Sequence, residues 1–264
     1  MLFASIVHML YDWPTWLIAV GLFCAMFLAN EAGFRYGHRY HRQESEVSRT
    51  VAAAFKGSVF GLVALLLAFS FSATTSRHEL RQRLVLDQAN AIGTCYLRAG
   101  LLGDPWRERI REILRRYVAL RLEHAGAGSD QTAAELDRLL SSLWEEVEGV
   151  DRKDPEAVRI SMIVPAANDV IDLSSTRSWA SRNHLPDPVL ALLLSSVLVS
   201  SALLGHSSGQ AGVRHLGLWL AMNLIFVLIL YVVLDFDRPQ RGLIRVDQTP
   251  LVELSSSIGQ PSAR

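Results

Sequence analysis

Four stretches of the chain carry no charged residue: Trp13–Asn30, Gly57–Ser76, Val189–Gly205 and Leu216–Leu234. Each matches the ~17–25 residues that a helix needs to cross a hydrocarbon layer at 1.5 Å per residue. Lipid offers backbone groups no hydrogen-bond partner, so such stretches are predicted to be membrane helices. They pair into two hairpins, the first joined through Glu31–Lys56 and the second through the short His206–His215. No Lys or Arg precedes the first stretch and no small-x-small cleavage site follows it, so a retained anchor is expected rather than a cleaved signal peptide.

Between the hairpins the apolar positions switch to helical spacing. Asp104–Pro105 supplies an N-cap and a first-turn proline ahead of a face made by Ile110, Ile113, Leu114, Tyr117, Val118, Leu120 and Leu122, closed by Gly126 and Gly128. A second helix is predicted from Ser129–Asp130, with Ala133, Leu136, Leu139, Leu140, Leu143 and Trp144 on one side. A third starts at Asp154–Pro155 and is expected to kink at Pro165. No segment alternates with the period of a strand. The fold class is therefore all-α, organised as a first membrane hairpin (1–76), an inserted helical region (77–187), a second hairpin (188–236) and a tail (237–264). The end of that tail, SSSIGQPSAR, is polar and expected to be disordered.

The second span has two unusual features. It passes without Pro or Gly into SRHELRQRL, so an apolar helix is predicted to continue as a water-soluble one. Along it Gly57, Gly61, Ala64, Ala68 and Ser72 form one stripe, opposite Phe60, Val63, Leu67 and Phe71. A stripe of small residues lets two helix backbones approach closely, which is its commoner use. The sharper reading is that this helix borders a pore, where modest side chains surround an axis and a few apolar ones gate by dewetting.

Half of the 264 residues are hydrophobic, one fifth are charged, and the formal net charge is zero. That balance suits a membrane bundle carrying a soluble part and gives no reason to expect nucleic acid as a partner. Lys and Arg near the spans number eight on the side shared by the termini and the central region, against six on the other, so the termini and central region are expected on the cytoplasmic side. Cys24 and Cys95 form no spaced motif, so neither a disulfide framework nor a zinc site is suggested.

The stretch GLVALLLAFSFSATTSRHELRQRLVLDQANAIGTCYLRAGLL (Gly61–Leu102) resembles the bestrophin-like domain family of bacterial membrane proteins. LDFDRPQRGLIRVDQTPL (Leu234–Leu251) is similar to that family's Asp-rich segment after the last span, and IVPAANDVID (Ile163–Asp172) is a weaker third match. The resemblance implies an inner-membrane homo-oligomer, pentameric in bestrophins, whose second membrane helix surrounds an anion pathway and continues into the cytosol. Carried over by motif, Ala54, Ser58 and Leu62 line the neck. Bestrophin necks are bulky where Ala54 and Ser58 are small, so Leu65 and Phe69, which continue the Leu62 face, are further pore-lining candidates. Asp235 and Asp237 are the only acidic residues at the end of the last span, followed by Arg238, Arg241 and Arg245, too few hard ligands for a calcium clasp.

No carboxylate lies in any span, which argues against a cation filter. Ser58, Ser70, Ser72, Thr74 and Thr75 offer hydroxyl donors along the second helix, and Arg77 and Arg81 just beyond it form a ring attractive to anions when repeated about an axis. The competing reading has the hydroxyls bonding back to their own helix and the arginines paired within the chain. Asn223, strongly polar in mid-span, is expected to hydrogen-bond a neighbouring helix. His38 and His41 beside Glu44 read as a solvated loop rather than a metal site. No nucleophile elbow, P-loop, dinucleotide motif or HExxH occurs, so no enzyme activity, cofactor or metal is expected. An anion channel, for chloride or a similar small anion, is the leading function. The alternative is a non-conducting scaffold or sensor that recruits a partner through its helical region.

Overall fold

The computed structural model describes residues 13–39, 46–124, 130–153, 157–238 and 243–259. Its elements are α1 (Thr15–Arg39), α2 (Glu46–Ala99), α3 (Trp106–Glu123), α4 (Asp130–Lys153), α5 (Ala157–Arg182), α6 (Asp187–Ala211), α7 (Leu216–Asp237) and α8 (Thr249–Gly259), with no strand among the described residues. Four of the helices, α1, α2, α6 and α7, contain a stretch long and apolar enough to cross a membrane. The protein is an all-α, multi-pass membrane protein. The chain divides into two compact units, residues 1–77 with 184–244 and residues 78–183 with 245–264.

In the first unit, lipid is as apolar as a leucine side chain, so burial alone supplies little drive for helices to pair; close packing and polar bonds between helices must do it. Both occur between α1 and α6. A methyl group built on Gly33 falls 2.0 Å from the Ala202 carbonyl oxygen, one on Gly205 1.9 Å from that of Asn30, and one on Gly209 2.2 Å from that of Phe34. Only glycine allows backbones this near. Asn30 Nδ2 donates to Asn223 Oδ1 at 3.1 Å, and Ser201 Oγ reaches the same oxygen at 3.3 Å, which joins α1, α6 and α7. The expected partner for Asn223 is thereby identified. Buried Trp219 donates from its indole to Ser208 Oγ at 3.0 Å and meets Phe34 edge-on at 5.9 Å.

Both predicted connections are more helical than the charge pattern implied. Helix α1 continues to Arg39 and α2 begins at Glu46, so Glu31–Lys56 is mostly helix; His41 and Glu44 lie outside the described residues. The extension is held by packing: Gly37 lies against the backbone of His206, Arg35 pairs with Glu31 at 2.9 Å, and Arg214 both pairs with Glu31 and lies over the Phe34 ring. Helix α6 likewise runs through His206 to Ala211 and ends where Gly212 adopts a left-handed conformation at φ 73°.

The second unit is a water-type core. Val85, Ile92, Cys95 and Ala99 of α2 pack with Ile110, Leu114, Tyr117 and Val118 of α3, Leu136, Leu143 and Val147 of α4, and Ile163, Ala167 and Val170 of α5. Burial pushes the Cys95 thiol up to about 12, as befits a packing residue. Helix α3 starts at Trp106, and Asp104 forms an ion pair with Arg107 instead of capping by its side chain. Pro165 lies inside the continuous α5; Ser129 and Asp154–Pro155, the predicted starts of α4 and α5, lie outside the described residues. The expectation of a disordered tail is corrected for Ser255–Gly259, which complete α8: Leu251 and Ile258 are buried in this core, and Tyr96 donates to the Ile258 carbonyl at 3.2 Å. Ahead of α8, Asp247 accepts from the Thr249 hydroxyl and amide, which holds its carboxyl below the usual range.

Candidate functional site

Helix α2 has 54 residues, about 80 Å at 1.5 Å each, with no break between its apolar and charged parts. In the first unit it turns one narrow face inward. Val63 and Leu67 are 2% and 3% exposed, with Ser70 and Thr74 buried on the same side and Phe60 and Leu66 partly covered. These positions recur at helical spacing of three and four, so the rest of the circumference is open.

That open arc carries both predicted rows. Gly57, Gly61, Ala64, Ala68 and Ser72 are exposed, and a methyl built on Gly57 or Gly61 meets nothing within 4 Å. The small stripe therefore packs on no other described part of its own chain. Beside it lie Ala54, Ser58, Leu62, Leu65 and Phe69, all exposed, the last three at 57%, 51% and 65%. The close-packed small residues are instead those of α1 and α6. Their signal, glycines four apart at Gly33–Gly37 and Gly205–Gly209, stands in the sequence, but Gly33, Gly37 and Gly209 fall in stretches read as connections and Gly205 at the very end of a predicted span.

The hydroxyl row is mostly turned inward or bonded to its own helix. Ser58 Oγ donates to the Ala54 carbonyl at 3.1 Å, and Thr74 Oγ1 lies 3.0 Å from the carbonyls of Ser70 and Phe71. Ser72 alone of the row shares the exposed stripe's face with Ser58. The two arginines differ. Arg77 NH1 lies 3.8 Å from Asp237 Oδ1 with a quarter of its side chain exposed. Arg81 is 5% exposed and donates to the carbonyls of Ala180 and Asn183 at 3.0 and 2.9 Å. It closes the C-terminus of α5, where carbonyls lack helical partners. For Arg81 this placement agrees with the competing reading, an arginine bonded within the chain, and not with a place beside Arg77 in an anion-attracting ring.

Asp235 and Asp237, noticed only as acidic positions, organise the end of α7. Asp235 is buried and accepts the amides of Leu243 and Ile244 at 3.1 and 2.8 Å. Asp237, also buried, accepts the Leu185 amide at 2.9 Å, and its main-chain oxygen lies 2.9 Å from His184 Nδ1. Arg238 reaches the Trp13 carbonyl at 2.6 Å. Both carboxylates are used in fixing loops, and no group of three or more His, Cys, Asp or Glu suited to a metal occurs among the described residues.

The chain matches the Bestrophin-like domain family over residues 21–251. Among solved structures it is similar to a mutant of a bacterial bestrophin homolog from Klebsiella pneumoniae, at 14% identity and a TM-score of 0.66 over 92% of this chain and 96% of that one. A second mutant of the Klebsiella pneumoniae homolog superposes with a TM-score of 0.61 at 15% identity, covering 90% and 95%. A third structure, of a membrane protein, gives 0.65 at 14% identity over 93% and 95%. No curated protein matches the chain.

Proposed function

Since the chain belongs to the Bestrophin-like domain family, we propose that it assembles as a homopentamer in the inner membrane, with α2 of every copy around an axial pathway for chloride or a similar small anion. The observation that carries this reading is the open face of α2. Only 11% of its apolar window is buried within the chain, against 28% for α1 and 33% for α7. A helix that met only lipid there would gain nothing from glycine and alanine at every turn, whereas a second helix packs closely on such a row. The Gly57–Ser72 row then receives the neighbouring copy, and the adjoining Leu62, Leu65 and Phe69 row faces the axis. Repeated five times, those apolar side chains form a constriction that conducts when wetted and closes when dry. Arg77 is the remaining candidate for an anion-attracting ring, at the cytoplasmic end in this orientation.

The test is chloride flux from proteoliposomes. Phe69→Ala and Leu62→Ala, which remove apolar bulk without touching the buried face, are expected to raise flux. Intact oligomers that pass no anion, or flux indifferent to both substitutions, refute the pathway and leave the scaffold. Particle averages viewed along the membrane normal give the subunit count and show whether an opening lies at the centre.

A further inference from the structure

Two guanidinium groups sit close together in the second unit with no acid beside them. Arg121 of α3 reaches Tyr117 Oη at 3.2 Å through Nε and Ser174 Oγ at 3.1 Å through NH2. Arg177, one turn beyond Ser174 on α5, donates to Gln88 Oε1 and Gln248 Oε1, each at 2.7 Å. Gln88 Nε2 donates in turn to Tyr117 Oη at 2.9 Å, so the arginines belong to one network. Among the described residues no carboxylate lies within 4.0 Å of either guanidinium. Burial first, and the Arg121 charge second, pull the Arg177 guanidinium down to about 10.

The network is also short of acceptors. Tyr117 and Ser174 share one oxygen–oxygen hydrogen bond of 2.9 Å, while Tyr117 already accepts from Gln88 and Arg121, and Ser174 from Arg121. Of the two hydroxyl protons, only one has an acceptor among the described residues, although Ser174 is 4% and Tyr117 1% exposed. Unbalanced buried donors and unpaired charge are both unfavourable, and a bound anion relieves them together. Both arginines remain partly exposed, so a small ligand has access. Planar guanidinium forks with adjacent hydroxyls suit several oxygens better than a single halide.

We propose that Arg121 and Arg177, with Ser174 and Tyr117, form a binding site for a small tetrahedral oxyanion of the phosphate type. The site neutralises the paired guanidiniums and fastens α3, α5 and the segment before α8 together. The experiment measures binding of inorganic phosphate to the full-length oligomer in detergent, by calorimetry and by the rise in unfolding temperature, with chloride at equal ionic strength as the comparison. Phosphate is expected to bind saturably and stabilise the protein where chloride does not. Arg121→Gln and Arg177→Gln each weaken binding by roughly tenfold or more, the loss of one charge-assisted hydrogen bond. Ser174→Ala, which keeps both charges, weakens it by a smaller factor and serves if an arginine variant fails to fold. No saturable phosphate response, an equal response to chloride, or unchanged binding in the variants overturns the site; so does a neighbouring copy's carboxylate seated on either arginine in a map of the oligomer. The readout is binding, so a protein that conducts nothing leaves the test intact.

Discussion

Replacing Gly205 with alanine places a methyl group 1.9 Å from the Asn30 carbonyl oxygen and 2.6 Å from its carbon. Both neighbours are backbone, so no side chain can swing aside. Reaching ordinary contact at 3.4 Å forces α1 and α6 apart by about 1.5 Å, a gap that forfeits much of the dispersion energy along the seam. Overpacking of this kind costs about 1–3 kcal/mol. The Asn30–Asn223 bond, already 3.1 Å long, is stretched as Asn30 moves, which adds ~0.6 kcal/mol or more. Alanine's better helix propensity returns up to ~1 kcal/mol. The net expectation is a loss of about 0.6–2.6 kcal/mol. Gly21→Ala is the matched control, since a methyl there meets nothing within 4 Å, and it is expected to be neutral or slightly stabilising. Asn223→Leu isolates the polar part, at ~0.6–1.7 kcal/mol. Unfolding of the detergent-solubilised protein, followed by circular dichroism against heat or sodium dodecyl sulfate, ranks the three. A Gly205→Ala protein as stable as Gly21→Ala would show that the seam is not backbone against backbone, and the account of α1 and α6 would be wrong.

Arg81→Gln removes the donors to Ala180 and Asn183 and is expected to destabilise the second unit by about 1.5–3 kcal/mol; hydrogen exchange at residues 180–183 should accelerate, and unchanged exchange refutes the capping role. Cys95, buried with its thiol raised from 9.0 to about 12, is expected to resist a water-soluble maleimide until the protein unfolds. Because the folded pKa lies above the unfolded one, this thiol's contribution to stability is intact below pH 9.0 and declines as pH rises toward 12; labelling of the native protein as fast as that of the unfolded chain contradicts the buried placement.

Charge-free windows, helix punctuation and the run from Gly57 to Leu84 were sufficient to read the all-α class, the four spans and the passage of α2 from apolar to charged residues, because these depend on local composition and on what a bilayer tolerates. The two rows of α2 were also legible, since a helix fixes which residues share a face. Which row an arginine or a glycine serves was not. Arg77 and Arg81 are one turn apart, yet one lies 3.8 Å from Asp237 and the other is buried against α5, ninety-nine positions away at Ala180. Gly33 and Gly205 read as ordinary positions near predicted connections until α1 and α6 are brought together. Arg121 and Arg177, fifty-six residues apart, show no motif that joins them. Periodicity along a chain specifies faces; only the folded arrangement of helices decides which face meets which, because those contacts depend on approach distances between segments that local sequence does not encode.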